Sequence, residues 1–211
     1  RRLERGGVIC LLLSILLISQ SNCCFAEEPS GIPVYIFRGA AGYWPGVKQM
    51  ASRVQEEGFD PVICRCSEMF RIKSQILMQQ HAGIPGVPVL IIGYSAGAET
   101  AVKLTQGLEK AGIRVDGLWL IEAYKFTSIP SNVDYCFNLF ESRPSDRWFI
   151  FRGTPVSQVT SNTSLLEIDV AKDERFAQEF GGHNHFTIQD DDRIQKLIAR
   201  QLQSIPFDDV R

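Results

Sequence analysis

Apolar residues along the chain fall into short blocks that alternate between a strand-like and a helical spacing. Pro33–Arg38 (PVYIFR) is apolar and β-branched and breaks at Gly39-Ala40-Ala41-Gly42. Val47, Met50, Ala51 and Val54 then recur on one helical face before Gly58. Pro61–Cys66 reads as the next strand, and Ser67 is placed to cap a helix carrying Met69, Ile72, Ile76 and Gln80, closed by Gly83. Val89–Gly93 (VLIIG) is wholly apolar, as a strand buried on both faces of a parallel sheet would be. Ala98, Ala101, Thr105 and Leu108 line the following helix, which stops at Gly112. Gly117–Ala123, Arg147–Arg152 and Ser164–Val170 are predicted strands. The last helix begins near Asp190, with Ile194, Leu197, Ile198, Leu202 and Ile205 facing inward.

Strands alternating with helices in this way predict an α/β fold: an open, mostly parallel sheet of about six strands with helices on both faces. No repeat, low-complexity tract or linker divides it, so residues 27–211 read as a single domain. A ligand site in such a sheet lies outside the carboxyl ends of the strands. Candidate chemical groups should therefore follow strands directly.

Residues 1–26 do not fit the alternation. Arg1, Arg2 and Arg5 precede an apolar run from Val8 to Ile18, broken only by Ser14, followed by Ser19-Gln20-Ser21-Asn22. That is the pattern of a secretory signal, and its apolar run is too short for a stable membrane span. Cys24 and Ala26 place cleavage after Ala26. The alternative is a lipid anchor on Cys23, for which Gln20 and Asn22 are poor neighbours. The expectation is an exported protein, periplasmic or secreted, without a membrane span once the signal is removed.

Removing that segment leaves 19 basic against 23 acidic residues, spread without a basic stripe, which argues against a nucleic-acid partner. Overall, 45% of residues are apolar and 22% charged, the balance of a globular domain. Cys64, Cys66 and Cys136 remain after the signal. Cys64 and Cys66, two apart on a predicted strand, would share a face and not bond each other. All three are read as core residues.

The sharpest chemical signal is Gly93-Tyr94-Ser95-Ala96-Gly97, a G-x-S-x-G motif closing an apolar strand and opening an amphipathic helix. Glycines on both sides permit a tight turn that exposes the serine hydroxyl, and the helix start behind it offers free N–H groups to an oxyanion. A serine nucleophile needs a base. Of the three histidines, His81 falls in a predicted helix ahead of the motif, whereas His183 and His185 lie between the last strand and the last helix. His185 is the better candidate, because His-Phe-Thr-Ile leads directly into a capped helix; His183 is the alternative. The loop from Gly153 to Ser164 holds no carboxylate to orient the base. Glu122, at the carboxyl edge of an apolar strand, needs a donor to offset its desolvation, and imidazole would supply one. A surface pair of Glu122 with Lys125 is the rival reading, and Asp134 is the second candidate acid. Oxyanion donors are expected from Ala96 and from Ala40 or Ala41.

These features together resemble the α/β-hydrolase superfamily, and within it a small lipase-like group of bacterial hydrolases. The resemblance runs from Ile32 to the C-terminus. It rests on the Gly-rich loop after the first strand, on Gly93–Gly97 and on Val115–Glu122. It continues through Pro130-Ser131-Asn132-Val133 with Asn138-Leu139-Phe140, and ends in His185-Phe186-Thr187-Ile188 with Asp190-Asp191-Asp192. Relatives of this kind usually carry Asp followed by Pro where this chain has Glu122-Ala123, and the family's first two antiparallel strands are absent here. The resemblance implies an esterase or thioesterase with a Ser95–His185–Glu122 triad, acting on a small-molecule acyl substrate without a cofactor. The span from Ala123 to Asp146 is too short for a large lid. Tyr124, Phe126, Tyr135, Phe137 and Phe140 could form an apolar wall, with Trp44 and Tyr94 flanking the oxyanion site as substrate contacts. Two rivals are a non-catalytic binding module on the same fold and a metal-dependent hydrolase built on His183 and His185. No metal site is expected, because the acidic triplet reads better as a helix start.

Overall fold

The computed structural model describes residues 31–82, 86–125, 128–143, 152–158 and 162–205. The expected signal segment, Gly83, Phe126 and residues 147–151 of the predicted strand at Arg147–Arg152 lie outside them.

Six strands form one sheet: β1 (Ile32–Phe37), β2 (Phe59–Cys64), β3 (Leu90–Tyr94), β4 (Val115–Ile121), β6 (Val133–Phe140) and β8 (Ser164–Asp169). Two further short strands, β5 (Ser128–Ile129) and β7 (Ser157–Gln158), pair only with each other. The sheet order is β2-β1-β3-β4-β6-β8, and every pairing is parallel. Its helices are α1 (Val47–Glu56), α2 (Met69–His81), α3 (Ala96–Glu109), α4 (Glu174–Phe180) and α5 (Asp192–Leu202).

Side chains alternate across each strand, so the sheet has two apolar faces. Val34, Ile36, Leu90, Ile92, Ile121 and Leu139 share one core with Val47, Met50 and Val54 of α1 and Ile194, Ile198 and Leu202 of α5. Tyr35, Phe37, Ile91, Leu118 and Leu120 pack on the other side with Ile72 and Ile76 of α2 and Ala98, Ala101 and Leu108 of α3. The connection from β1 through α1 leads outward to β2, whereas α2 carries the chain back past β1 to β3. Between β1 and β3 the direction of winding reverses, which opens a crevice at their carboxyl ends.

Several assignments from the pattern need correction. β2 begins at Phe59 rather than Pro61, because a proline is tolerated within an edge strand and Phe59 anchors it in the core. Cys66 consequently leaves the strand for a 3-10 turn (Cys66–Glu68) and is half-buried, while Cys64 and Cys136 are buried, all three as free thiols. That turn also displaces Ser67 from its expected capping role; the Glu68 carboxylate instead accepts from the Arg65 N–H at 2.7 Å. Finally, Val133–Phe140 is a central sheet strand that the pattern does not announce, because Asp134 and Asn138 interrupt its apolar run. Asn138 is buried there and donates to the Thr154 carbonyl and the Glu167 carboxylate, both at 3.1 Å. Arg152, the described residue of the predicted strand at Arg147–Arg152, lies in a bend.

Asp191 starts α5 by accepting from the Arg193 N–H at 2.8 Å and, at 3.4 Å, from Ile194. Burial alone would raise its pKa, but the Arg193 side chain and those backbone donors outweigh burial and hold it at about 2. Asp191→Ala is expected to destabilise the fold by about 1 kcal/mol at neutral pH. The folded-state pKa lies below the usual carboxylate value, so the difference from wild type should shrink as pH falls from about 4 toward 2. Denaturant melts of both proteins at pH 7 and pH 3 would measure it.

Candidate active site

Backbone strain collects at one place. Among the described residues, the non-glycine residues with positive φ are Ala41 (51°), Ser95 (54°) and Glu122 (52°). They follow β1, β3 and β4 respectively, three neighbouring strands at the reversal crevice. Such conformations cost of order 1–3 kcal/mol each and persist only where the surroundings enforce them.

At Ser95 the enforcing contacts are close packing on both sides. A Cβ at Gly93 would meet Ala98 Cα at 2.6 Å, and one at Gly97 would meet the Phe37 carbonyl oxygen at 2.2 Å. The Ser95 N–H donates to the Ile121 carbonyl at 2.9 Å, which ties the turn to β4. Only glycine at 93 and 97 lets β3 turn straight into α3 beside β1, and the serine is forced outward at the bend.

Ser95 Oγ lies 2.8 Å from His185 Nε2, and His185 Nδ1 lies 3.0 Å from Glu122 Oε2. His185 and Ser95 are almost buried, and Glu122 is entirely so. The Glu122 carboxylate is met by donors throughout. Oε1 accepts from the Glu141 N–H at 2.8 Å, and Oε2 from the Gly153 N–H at 3.1 Å, with an Arg143 nitrogen at 3.5 Å. Nδ1 must then be the protonated ring nitrogen, which leaves Nε2 to accept from the Ser95 hydroxyl. An imidazole so oriented can take the hydroxyl proton while the carboxylate stabilises the cation formed. The ring is held from behind by Tyr94, whose hydroxyl donates to the His185 carbonyl at 2.7 Å and whose ring centroid is 5.4 Å from the imidazole. Burial chiefly, and then the Glu122 charge, pushes the Tyr94 phenol well above its ordinary range, so it stays a donor.

The rival placements resolve differently. Glu122 does not reach the surface, so it forms no exposed pair with Lys125. Asp134 is near the amino end of β6, paired with Arg114 at 2.8 Å, far along the sheet from Ser95. His183 turns to Asp191 at 3.0 Å, and His81 is exposed at the end of α2. Among the described residues, no cluster of three or more His, Cys, Asp or Glu side chains is arranged to hold a metal ion.

A cavity of about 520 Å³ opens over Ser95, lined by Ala40, Tyr43, Tyr94, Ser95, Ala96, Tyr124, His185 and Phe186. The Ala96 N–H opens α3 without an intrahelical acceptor, and Ala40 faces it from the β1 loop, so backbone donors can approach an oxygen held at Ser95. Ala41 is exposed and does not line the cavity. Trp44 also stays out of it: its indole packs behind Tyr94 and donates to the Gln189 carbonyl at 3.2 Å. Phe137 and Phe140 are core residues, and Tyr135 packs on Trp119 and donates to Gln201. Of the expected apolar wall, Tyr124 alone lines the cavity among the described residues, and Phe126 lies outside them.

Sequence reasoning passes over Tyr43 and Phe186, whose rings meet edge-to-face at 5.8 Å at the mouth, and over Gly153, Glu141 and Arg143. Gly153 and Glu141 serve Glu122 through backbone N–H groups, which no residue type announces. Among the described residues, no helix is long and apolar enough to cross a membrane. Neither a family model nor a curated protein matches the chain.

Since each Glu122 oxygen accepts a backbone N–H, an amide there must turn its NH₂ toward one of those donors. Glu122→Gln is therefore expected to fold but lose roughly 1–3 kcal/mol of stability. Thermal melts checked against the near-isosteric change would show it, and an unchanged midpoint would contradict the bonding described.

Proposed function

We propose that the protein is a serine hydrolase of the α/β-hydrolase type, cleaving acyl esters or thioesters through Ser95, His185 and Glu122. The observation carrying this reading is the hydrogen-bonded series Ser95 Oγ–His185 Nε2 and His185 Nδ1–Glu122 Oε2 at 2.8 and 3.0 Å. His185 removes the Ser95 proton as the oxygen attacks the acyl carbon. The carbonyl oxygen takes negative charge in reach of the Ala96 and Ala40 N–H groups. Collapse transfers the proton from His185 to the departing alcohol or thiol and leaves an acyl-serine. Water then repeats the sequence, with His185 as base, and releases the acid.

The lining of the cavity favours an uncharged, apolar acyl group of modest size, because Tyr43, Tyr124 and Phe186 supply ring surface around the serine. The Arg-flanked apolar run in residues 1–26 supports export, to a periplasmic or extracellular location.

A fluorophosphonate should label the protein once, at Ser95, and Ser95→Ala should abolish both labelling and hydrolysis of short-chain nitrophenyl esters. Wild-type protein that is folded yet unlabelled would remove the hydrolase reading and favour a binding module. Glu122→Gln should reduce turnover by about 10³–10⁴-fold, as removal of the orienting acid does in serine proteases. Asp134→Asn should stay within about twofold of wild type, since it changes an exposed ion pair.

The mouth rings make a separate prediction. Tyr43→Ala and Phe186→Ala should each raise KM for butyryl or hexanoyl esters about tenfold while sparing acetyl esters, the loss of one aromatic contact. Equal losses across chain lengths would place the acyl group elsewhere.

A further inference from the structure

Two charged side chains beside the site have no part in the proton transfer. Glu141 directly follows β6 and is 5% exposed; Arg143 comes two residues later. Among the described residues, the Arg143 guanidinium spans three acceptors. One nitrogen lies 3.5 Å from Glu122 Oε2, the oxygen that also holds His185 Nδ1. The other lies 3.4 Å from Glu141 Oε2 and donates to the His183 carbonyl. Burial pushes the Glu141 carboxyl up, while Arg143 and the Gly182 N–H draw it down. Arg143, held by Glu141, thus grips the backbone of His183 two residues before the candidate base, and places its charge against the carboxylate that orients that base.

We propose that Glu141 and Arg143 are positioning residues that clasp the His185 loop and, through opposite charges, set the pH at which the His185 ring gains its second proton. The kinetic form of this inference rests on the hydrolase reading; the charge relation itself does not. Among the described residues, the groups facing His185 are few. They are Ser95 and Tyr94 from β3 and its turn, Tyr43 from the β1 loop, and Glu122 and Tyr124 beyond β4. Glu141 and Arg143 come from beyond β6, and His183 and Asp191 from its own segment. Asp191 is held by Arg193 at 2.7 Å, and burial keeps the Tyr94 hydroxyl a donor. Glu122, Glu141 and Arg143 therefore supply the local charge.

Removing the Arg143 cation leaves two carboxylates near the imidazole and favours its protonated form. Removing the Glu141 charge does the reverse. A base must be unprotonated to act, so the acid limb of the kcat/KM profile should move up by roughly 1 pH unit in Arg143→Met and down by about 0.5 in Glu141→Gln. The double variant should lie about 0.5 pH unit above the wild-type limb, between wild type and Arg143→Met. Arg143→Lys keeps the charge but not the three-way reach, so its limb should stay put while kcat falls about tenfold.

A loosened loop without charge coupling would lower kcat in every variant and leave the limbs together, or shift them all one way, and either pattern would overturn the proposal. If Arg143→Met does not fold, Glu141→Gln and Arg143→Lys still decide it. NMR titration of the His185 ring, assigned with His185→Gln, gives the same midpoints without turnover. Failure of Ser95 labelling with the expected ring shifts would remove the hydrolase reading alone. Ring midpoints equal in all variants would remove the clasp alone.

Discussion

The arrangement of this molecule's candidate site depends on one carboxylate in the interior. Glu122 is fully buried at the tip of an apolar strand, a placement costing several kcal/mol unless donors surround it. Three segments of chain provide them: the Glu141 N–H and the Arg143 guanidinium just after β6, the Gly153 N–H beyond it, and the His185 ring. These segments would otherwise be separate loops. The carboxylate makes them a single structure, so stability and the geometry of the candidate site share a cause. Gly153 shows how closely the shell fits: a Cβ there would meet Phe140 Cβ at 2.4 Å and Glu122 Oε1 at 2.9 Å.

Strain completes what the carboxylate organises. Extended backbone continued past β3 or β4 would aim Ser95 and Glu122 along the strand, on the register of the core. A positive φ at each breaks that register and turns both side chains into the crevice between β1 and β4. The sheet can hold such conformations because it is buried on both faces, and the hydrogen bond from Ser95 N–H to Ile121 locks one strained turn against the other. The parallel sheet thus has a mechanical role in addition to burying apolar surface.

How much of this is readable from residues alone depends on whether a feature lives in side chains or in backbone. The alternation of apolar blocks announces the α/β sheet because both cores need it, and Gly93–Gly97 is legible because the tight turn admits only glycine at two positions. His185 and Glu122 can be singled out because few residues of their type follow strands. β6 is hidden by Asn138, a polar residue satisfied only by partners distant in sequence, Thr154 and Glu167. That same omission conceals Glu141, since a carboxylate matters here only if the residue before it ends a sheet strand. Trp44 misleads for the opposite reason. It adjoins the oxyanion loop in sequence, yet its indole turns back to Gln189 and the core.

The sheet order also explains why Glu122, not Glu141, takes the imidazole. β3 and β4 are neighbours, so Ser95 and Glu122 sit about one strand spacing apart, close to 4.8 Å across the sheet. One imidazole, reaching Ser95 Oγ through Nε2 at 2.8 Å and Glu122 Oε2 through Nδ1 at 3.0 Å, bridges the side chains of two residues whose backbones are that close. Glu141 ends the next strand over, about twice as far from Ser95, beyond the span of a single ring. Its backbone N–H can still reach Glu122 between them, and its carboxylate is left for Arg143, which in turn holds the loop that delivers His185. The division of labour between two buried acids thus follows from strand spacing alone: the nearer orients the ring, and the farther holds the segment on which the ring is carried.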